Sequence, residues 1–144
     1  MKLTSPHFLS QGNIPSRFTC QGEDVSPALE ISGVPEDAKS LVLIVDDPDA
    51  PMGVWDHWIV FNINPKTKTI PDNTIPGLQG KNSSGGVLWG GPCPPFGTHR
   101  YFFKIYALDV MLELKEGAKR PAVEGAMQGH VIDKAELVGL YKKS

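Results

Sequence analysis

Two short stretches of this chain concentrate residues that can do chemistry. The first is Asp47-Pro48-Asp49-Ala50-Pro51, with His57-Trp58 opening an apolar run six residues after Pro51. The second is Gly90-Gly91-Pro92-Cys93-Pro94-Pro95-Phe96-Gly97-Thr98-His99. Each is a proline-stiffened loop that delivers a histidine to the start of a strand. An aspartate-proline turn by itself is ordinary loop chemistry with solvated acids. Two such loops, each ending in an imidazole, suggest a pocket, and the expectation is that they meet.

Three chemistries compete for these residues. Two histidines and two acids are zinc-ligand types, but there is no His-x-His, His-Glu-x-x-His or paired-cysteine spacing, so neither metal nor cofactor is expected. Cys93 with a histidine and an aspartate, or an Asp–His pair alone, would suit a hydrolase. Cys93 lies between Pro92 and Pro94, however, so the next amide has no N–H to offer an oxyanion. No helix follows to lower the thiol pKa. The expectation is therefore a protein without catalytic residues.

Anion binding is the third chemistry and the preferred one. Gly90, Gly91 and Gly97 allow backbone N–H groups to turn inward as a nest, and His57 and His99 can donate hydrogen bonds. Tyr101 follows His99 by two residues, which on a strand places it on the same face. Trp55 precedes His57 by the same interval and supplies an apolar wall. Asp47 and Asp49 oppose an anion unless one acid orients a histidine, a ligand oxygen is protonated, or the acids receive a ligand ammonium. The sequence leaves these three open. His7 and His130 read as surface or capping residues, and Phe61, Phe102, Phe103 and Tyr106 as core. Phe96, at a loop tip, is the exception among the aromatics.

The elements that must position these residues are strands. Gly (15) and Pro (13) fall between short apolar runs, the punctuation of an all-β domain. Ser40 to Val45 is a continuous run expected to be covered on both faces. Trp55 to Asn64 and Arg100 to Asp109 are the other strong strands, and Lys134 to Lys142 closes the set. Weaker strands are expected at Lys2 to Ser5, Arg17 to Cys20, Ala28 to Ser32 and Val87 to Trp89. A helix is expected over Pro121 to Gly129, with Val123, Ala126 and Met127 as its apolar stripe. In an antiparallel arrangement the end of the first strong strand lies beside the starts of the other two. Asp47, Asp49, His57 and His99 would then share one rim. The fold expected is mainly β, a two-sheet antiparallel β-sandwich with one or two short helices, spanning 1–144 as one domain.

With 14 Lys and Arg against 16 Asp and Glu the net charge is −2, which argues against nucleic acid as a partner. The first residues lack the apolar core of a signal peptide, and the run Leu41 to Val45 is too short to span a membrane. The expectation is a soluble, cytoplasmic protein. Cys20 and Cys93 are too few for a disulfide framework and, in a cytosol, are expected to be thiols.

Asp47-Pro-Asp-Ala-Pro51, His57-Trp58, Gly91-Pro92 and Gly97-Thr98-His99-Arg100-Tyr101 together resemble the signature of the phosphatidylethanolamine-binding protein family, which includes the Raf kinase inhibitor protein. The resemblance runs from about Cys20-Gln21-Gly22 to Leu137-Val138-Gly139 and is closest to the compact bacterial and archaeal branch. It implies a large antiparallel sheet packed on a smaller one, with a shallow anion pocket lined by Asp47, Trp55, His57, Gly91, Pro94, His99 and Tyr101. Asp49 and Pro51 would support it, with a cis bond before Pro51. The implied ligands are small phosphate- or carboxylate-bearing anions, including phospholipid head groups. An inhibitory role toward a serine protease or kinase is the alternative, and a homodimer is also implied. The chain stops at Ser144 without the C-terminal helix that flanks the pocket in longer members, so a more open pocket is expected.

Overall fold

The computed structural model describes residues 1–144. Nine strands run in chain order: β1 (Lys2–Thr4), β2 (Gly12–Asn13), β3 (Leu29–Ser32), β4 (Ser40–Asp47), β5 (Trp55–Ile63), β6 (Thr69–Ile70), β7 (Leu78–Gln79), β8 (Thr98–Leu108) and β9 (Val131–Lys142). One helix, α1 (Arg120–Met127), lies between β8 and β9, and a single 3-10 turn covers Ser16–Phe18. The strands form a three-stranded sheet, β1-β3-β6, and a six-stranded sheet, β2-β9-β8-β4-β5-β7. The pairings are antiparallel except that short β2 runs parallel to β9. The protein is a mainly β, two-sheet sandwich.

The centre of the large sheet, at β4, is covered on both faces, which explains the unbroken apolar run there. Leu41, Leu43 and Val45 point between the sheets with Trp58, Val60, Tyr101 and Phe103. Val42 and Ile44 point the other way, with Ile59 and Phe61, against Leu112 and the α1 residues Val123 and Met127. A strand buried on both faces has no polar side to alternate with. Each such side chain taken from water contributes about 1.5–3 kcal/mol, so β4, buried from end to end, is a strong anchor. The alternation continues into its acidic tip. Asp47 extends the face of Leu43 and Val45, whereas Asp46 extends the face beneath α1.

Some local expectations are corrected. Arg17–Cys20 is no strand: Phe18 and Thr19 donate backbone hydrogen bonds to Pro15 and Ser16, and the Thr19 hydroxyl also bonds Ser16 O at 2.8 Å, so local partners win over a ladder. Val87–Trp89 is no strand either, because the Asn82 side chain takes Leu88 O at 2.7 Å and closes the segment on itself. Every peptide bond is trans, including that before Pro51. Ala50 O accepts the Gly53 N–H at 3.1 Å, so Pro51 is the second residue of a reverse turn, a place that trans-proline suits. Gly53, with φ of +106°, supplies the backbone freedom that the turn then requires.

Candidate functional site

β4 lies between β8 and β5 in the large sheet, so its C-terminal end meets the N-terminal ends of both neighbours. Asp47 stands opposite Trp55 on β5, and Asp46 opposite Phe102 on β8. A cavity of about 370 Å³ opens at this end of the sheet. Asp47, Pro51, Trp55, His57, Gly91, Pro94, His99 and Tyr101 all line it. Asp49 does not. Its carboxylate instead receives the Arg100 guanidinium through Nε and Nη2 at 2.9 and 2.8 Å, with the Arg100 backbone N–H also at 2.9 Å. Arg100 holds the Asp49 carboxyl at a pKa of about 2. Asp49 therefore closes the first loop over the start of β8.

His57 reaches the cavity by a device that strict alternation hides. Val45 pairs with Trp58 but Asp46 pairs with Asp56, leaving His57 unpaired at a register shift. It is the extra residue of a β-bulge, a feature that re-aims side chains beside functional sites. The bulge lets Trp58 face the core while His57 and Trp55 both face the cavity. On β8 no such device is needed, since His99 and Tyr101 follow the regular period of two.

Both imidazoles are held by one nitrogen. His57 Nδ1 donates to Gly90 O at 2.5 Å, and His99 Nδ1 donates to Asp47 Oδ2 at 2.7 Å. A carbonyl and a carboxylate can only accept here, so the proton sits on Nδ1 in each ring. The remaining Asp47 oxygen accepts the Asp49 N–H at 2.8 Å. Neither Nε2 has a protein partner, and no buried side-chain nitrogen or oxygen in the chain is unsatisfied. Both Nε2 atoms are therefore open to the cavity. Tyr101 lies between the rings, edge-on to His57 at 5.2 Å and stacked on His99 at 6.4 Å.

The charged side chains lining the cavity are acidic. Asp24, Asp47 and Asp56 line the cavity with the two histidines, and no lysine or arginine does. Burial lowers the His57 pKa below its ordinary value, against the opposing pull of Gly90 O and the Asp47, Asp24 and Asp46 carboxylates. Burial, reinforced by Asp47 and Asp49, raises that of Tyr101, which keeps its hydroxyl a donor.

The glycine nest expected at Gly90-Gly91 does not face the cavity. Gly90 N–H donates to His57 O at 3.2 Å and Gly91 N–H to Asp24 Oδ1 at 2.8 Å. Gly91 is there for close approach instead: a Cβ would collide with Phe18 O and the Asp24 carboxylate, and would lie 3.0 Å from Thr19 Cα. The cysteines are also corrected. Cys20 and Cys93 form a disulfide, with Cα atoms 5.5 Å apart, at the cavity wall. The second loop folds against the segment after the 3-10 turn, where Cys20 N–H donates to Pro92 O at 3.2 Å, and the two sulfurs meet. In this state Cys93 has no thiolate to act as a nucleophile.

Comparison with known proteins decides the lineage. The model of the phosphatidylethanolamine-binding protein family matches residues 4–142. The chain belongs to this family. Among its relatives, the UPF0098 protein of Methanothermobacter thermautotrophicus is 50% identical over 150 residues, covering 99% of this chain and 99% of its own. A Chlamydia trachomatis structure described as a phosphatidylethanolamine-binding protein homologue superposes with a TM-score of 0.97 at 45% identity, over 99% of this chain and 97% of that one. Escherichia coli YbcL, described as a new member of the mammalian PEBP family, gives 0.90 at 30% identity, over 99% and 98%.

The cavity also includes residues that sequence reasoning passed over. Asp24, Asn82 and Ser84 line it, from segments with no periodic pattern. Asn82 carries a local signal in retrospect, since an Asn two residues before a Ser favours a side-chain-closed turn. Its Oδ1 accepts the Ser84 N–H at 3.0 Å. Asp24 has no such signal, for its place depends on the disulfide-tethered loop.

Proposed function

We propose that this cavity binds a small ligand bearing a phosphate or carboxylate group, without turnover. The observation that carries the reading is the convergence of two fixed imidazoles and one tyrosine hydroxyl on one cavity, each ring pinned at Nδ1 with Nε2 left open. Groups already held in place lose little freedom on binding, so their hydrogen bonds translate into affinity. Apolar Trp55, Pro51 and Pro94 on the wall suit the carbon skeleton next to the charged group. The family's description as phosphatidylethanolamine-binding supports the same ligand class, with a phosphorylated head group as one source. The Asp47–His99 hydrogen bond supports one of the alternatives the sequence left open, an acid that orients a histidine.

The test is a titration of histidine-labelled protein with inorganic phosphate at pH 6.5, followed by NMR. His57 and His99 should move together and saturate together. Unmoved resonances up to tens of millimolar phosphate would remove the reading. Replacing His99 with Ala should weaken binding by about 1–3 kcal/mol, the usual cost of a lost hydrogen bond to a charged group.

A further inference from the structure

The cavity offers a small anion a puzzling set of partners. Three aspartates line it, and no lysine or arginine does. The carboxylates are already engaged within the protein: Asp47 with His99 and the Asp49 N–H, Asp24 with Gly91, and Asp56 with Arg120. Among the groups that the cavity leaves without a protein partner are the Nε2 of His57, the Nε2 of His99 and the Tyr101 hydroxyl. His57 Nδ1 must carry a proton, because its partner is the carbonyl of Gly90. In the neutral ring Nε2 is then a lone pair, a hydrogen-bond acceptor aimed at the ligand.

We propose that the site selects the protonated form of its ligand, an oxyacid that brings a P–OH or COOH proton to Nε2 of His57, and rejects the fully deprotonated dianion. This inference rests on reading the cavity as an anion site and specifies which ionisation state enters it. The Tyr101 hydroxyl donates to a second ligand oxygen. The ligand proton is shared along the O–H···N hydrogen bond, and no bond to the ligand's central atom forms or breaks. Around His57, burial disfavours the cation and outweighs the carboxylates that favour it, while those same carboxylates repel a second negative charge on a ligand. The charges facing His57 are Asp47 and Asp46 from β4, Asp24 from the segment after the 3-10 turn, and Asp56 on its own strand. Tyr101 and His99 approach from β8. A dianion in this surrounding meets like charge and an acceptor, whereas a monoanion with a hydroxyl meets a matching partner.

Phosphate and sulfate separate the possibilities. They share size and tetrahedral shape, but phosphate carries a proton through neutrality and sulfate does not. The full-length protein, with its histidines labelled with nitrogen-15, is titrated with each sodium salt between pH 6 and pH 8.5 in a buffer free of both anions. In the free protein at pH 7 the His57 Nε2 resonance should be of the unprotonated type, and phosphate should shift it toward the protonated type. Sulfate should bind about 10- to 100-fold more weakly than phosphate at pH 7, the cost of facing an unmatched acceptor. Methyl phosphate, titrated in parallel, loses its last P–OH proton near neutrality. Its affinity should fall by about tenfold per pH unit above neutrality, as expected when only the protonated state binds. The inorganic phosphate dianion keeps one P–OH and should weaken less. Equal responses to phosphate and sulfate at pH 7, methyl phosphate affinity that holds or rises with pH, or a proton on Nε2 in the free protein would each overturn the proposal. Equal responses would leave the anion site standing and remove only its selectivity. Silence to phosphate at every pH would remove both.

Discussion

His57 occupies its place at a cost that pH can expose. Its folded pKa lies below the ordinary value because burial disfavours the cation. The unfolded chain therefore binds a proton more readily than the native one. By linkage, the stabilisation is fully present above an unfolded value near 6.5 and is lost as pH falls through the depressed folded value. Urea unfolding at pH 7.5 and pH 5 should show the wild type losing more stability than His57→Gln, and parallel loss in both would contradict this account. Gly91 makes a second prediction. A methyl group there meets the Phe18 carbonyl and the Asp24 carboxylate, so Gly91→Ala should cost about 1–3 kcal/mol by overpacking. Asp49→Asn should leave the phosphate response of His57 and His99 in place, since Asp49 faces Arg100 and not the cavity. At this scale the sequence was legible for residues on regular strands, such as His99 and Tyr101. It was misleading for Asp49, where chain proximity to Asp47 does not mean a shared direction.

The strongest elements were legible because their apolar runs are long. β4, β5 and β8 fall within two residues of the spans expected, and α1 carries the Val123–Met127 stripe with Gly129 in the left-handed region just past its end. Shorter pieces escaped. β2, β6 and β7 have two residues each, too few for any period to register. The bulge at His57 escaped as well, since a register shift depends on the partner strand. What the elements add to the site is a clamp on its far side. Asp46, buried beneath α1, accepts hydrogen bonds from Lys104 Nζ at 3.0 Å and Arg120 Nη1 at 2.8 Å, and Arg120 also holds Asp56. Burial works against the Arg120 charge, but Asp46 and Asp56 raise its pKa further above the ordinary value. The helix is thus tied to the tips of β4 and β5 immediately behind Asp47 and His57. Arg120→Met should destabilise the protein by about 1–3 kcal/mol, because it strips a partner from a buried carboxylate while Lys104 remains. A double-mutant cycle with Asp46→Asn should return a coupling of the same sign; independent effects would mean the clamp is not acting as one unit.

Across the whole molecule the feature least legible in the sequence is the one that closes the site. Cys20 and Cys93 lie 73 residues apart, and two cysteines at that separation announce nothing about proximity. Their joining depends on the sandwich having first brought the 3-10 turn segment beside the second loop. The sulfur link is then one of several ties at this junction. Cys20 N–H donates to Pro92 O, Gly91 N–H to Asp24, and the Trp89 indole to Phe18 O at 3.2 Å. The two cores lie elsewhere, between the sheets and under α1, so the fold does not depend on the disulfide for its packing. Closing a loop of this length removes much of the freedom of the unfolded chain, and such links contribute about 2–4 kcal/mol. Cys20→Ser with Cys93→Ser should therefore remain folded, with unchanged far-ultraviolet circular dichroism, and lose stability in that range. The more telling readout is local. Gly90 O fixes the tautomer of His57, and Gly90 sits three residues from Cys93 in the tethered loop. In the double variant, amide exchange should quicken at Gly90 and Gly91 while β4 and β8 stay protected. If exchange quickened equally across the large sheet, the link would be supporting the whole sandwich, and the local role assigned to it here would be wrong.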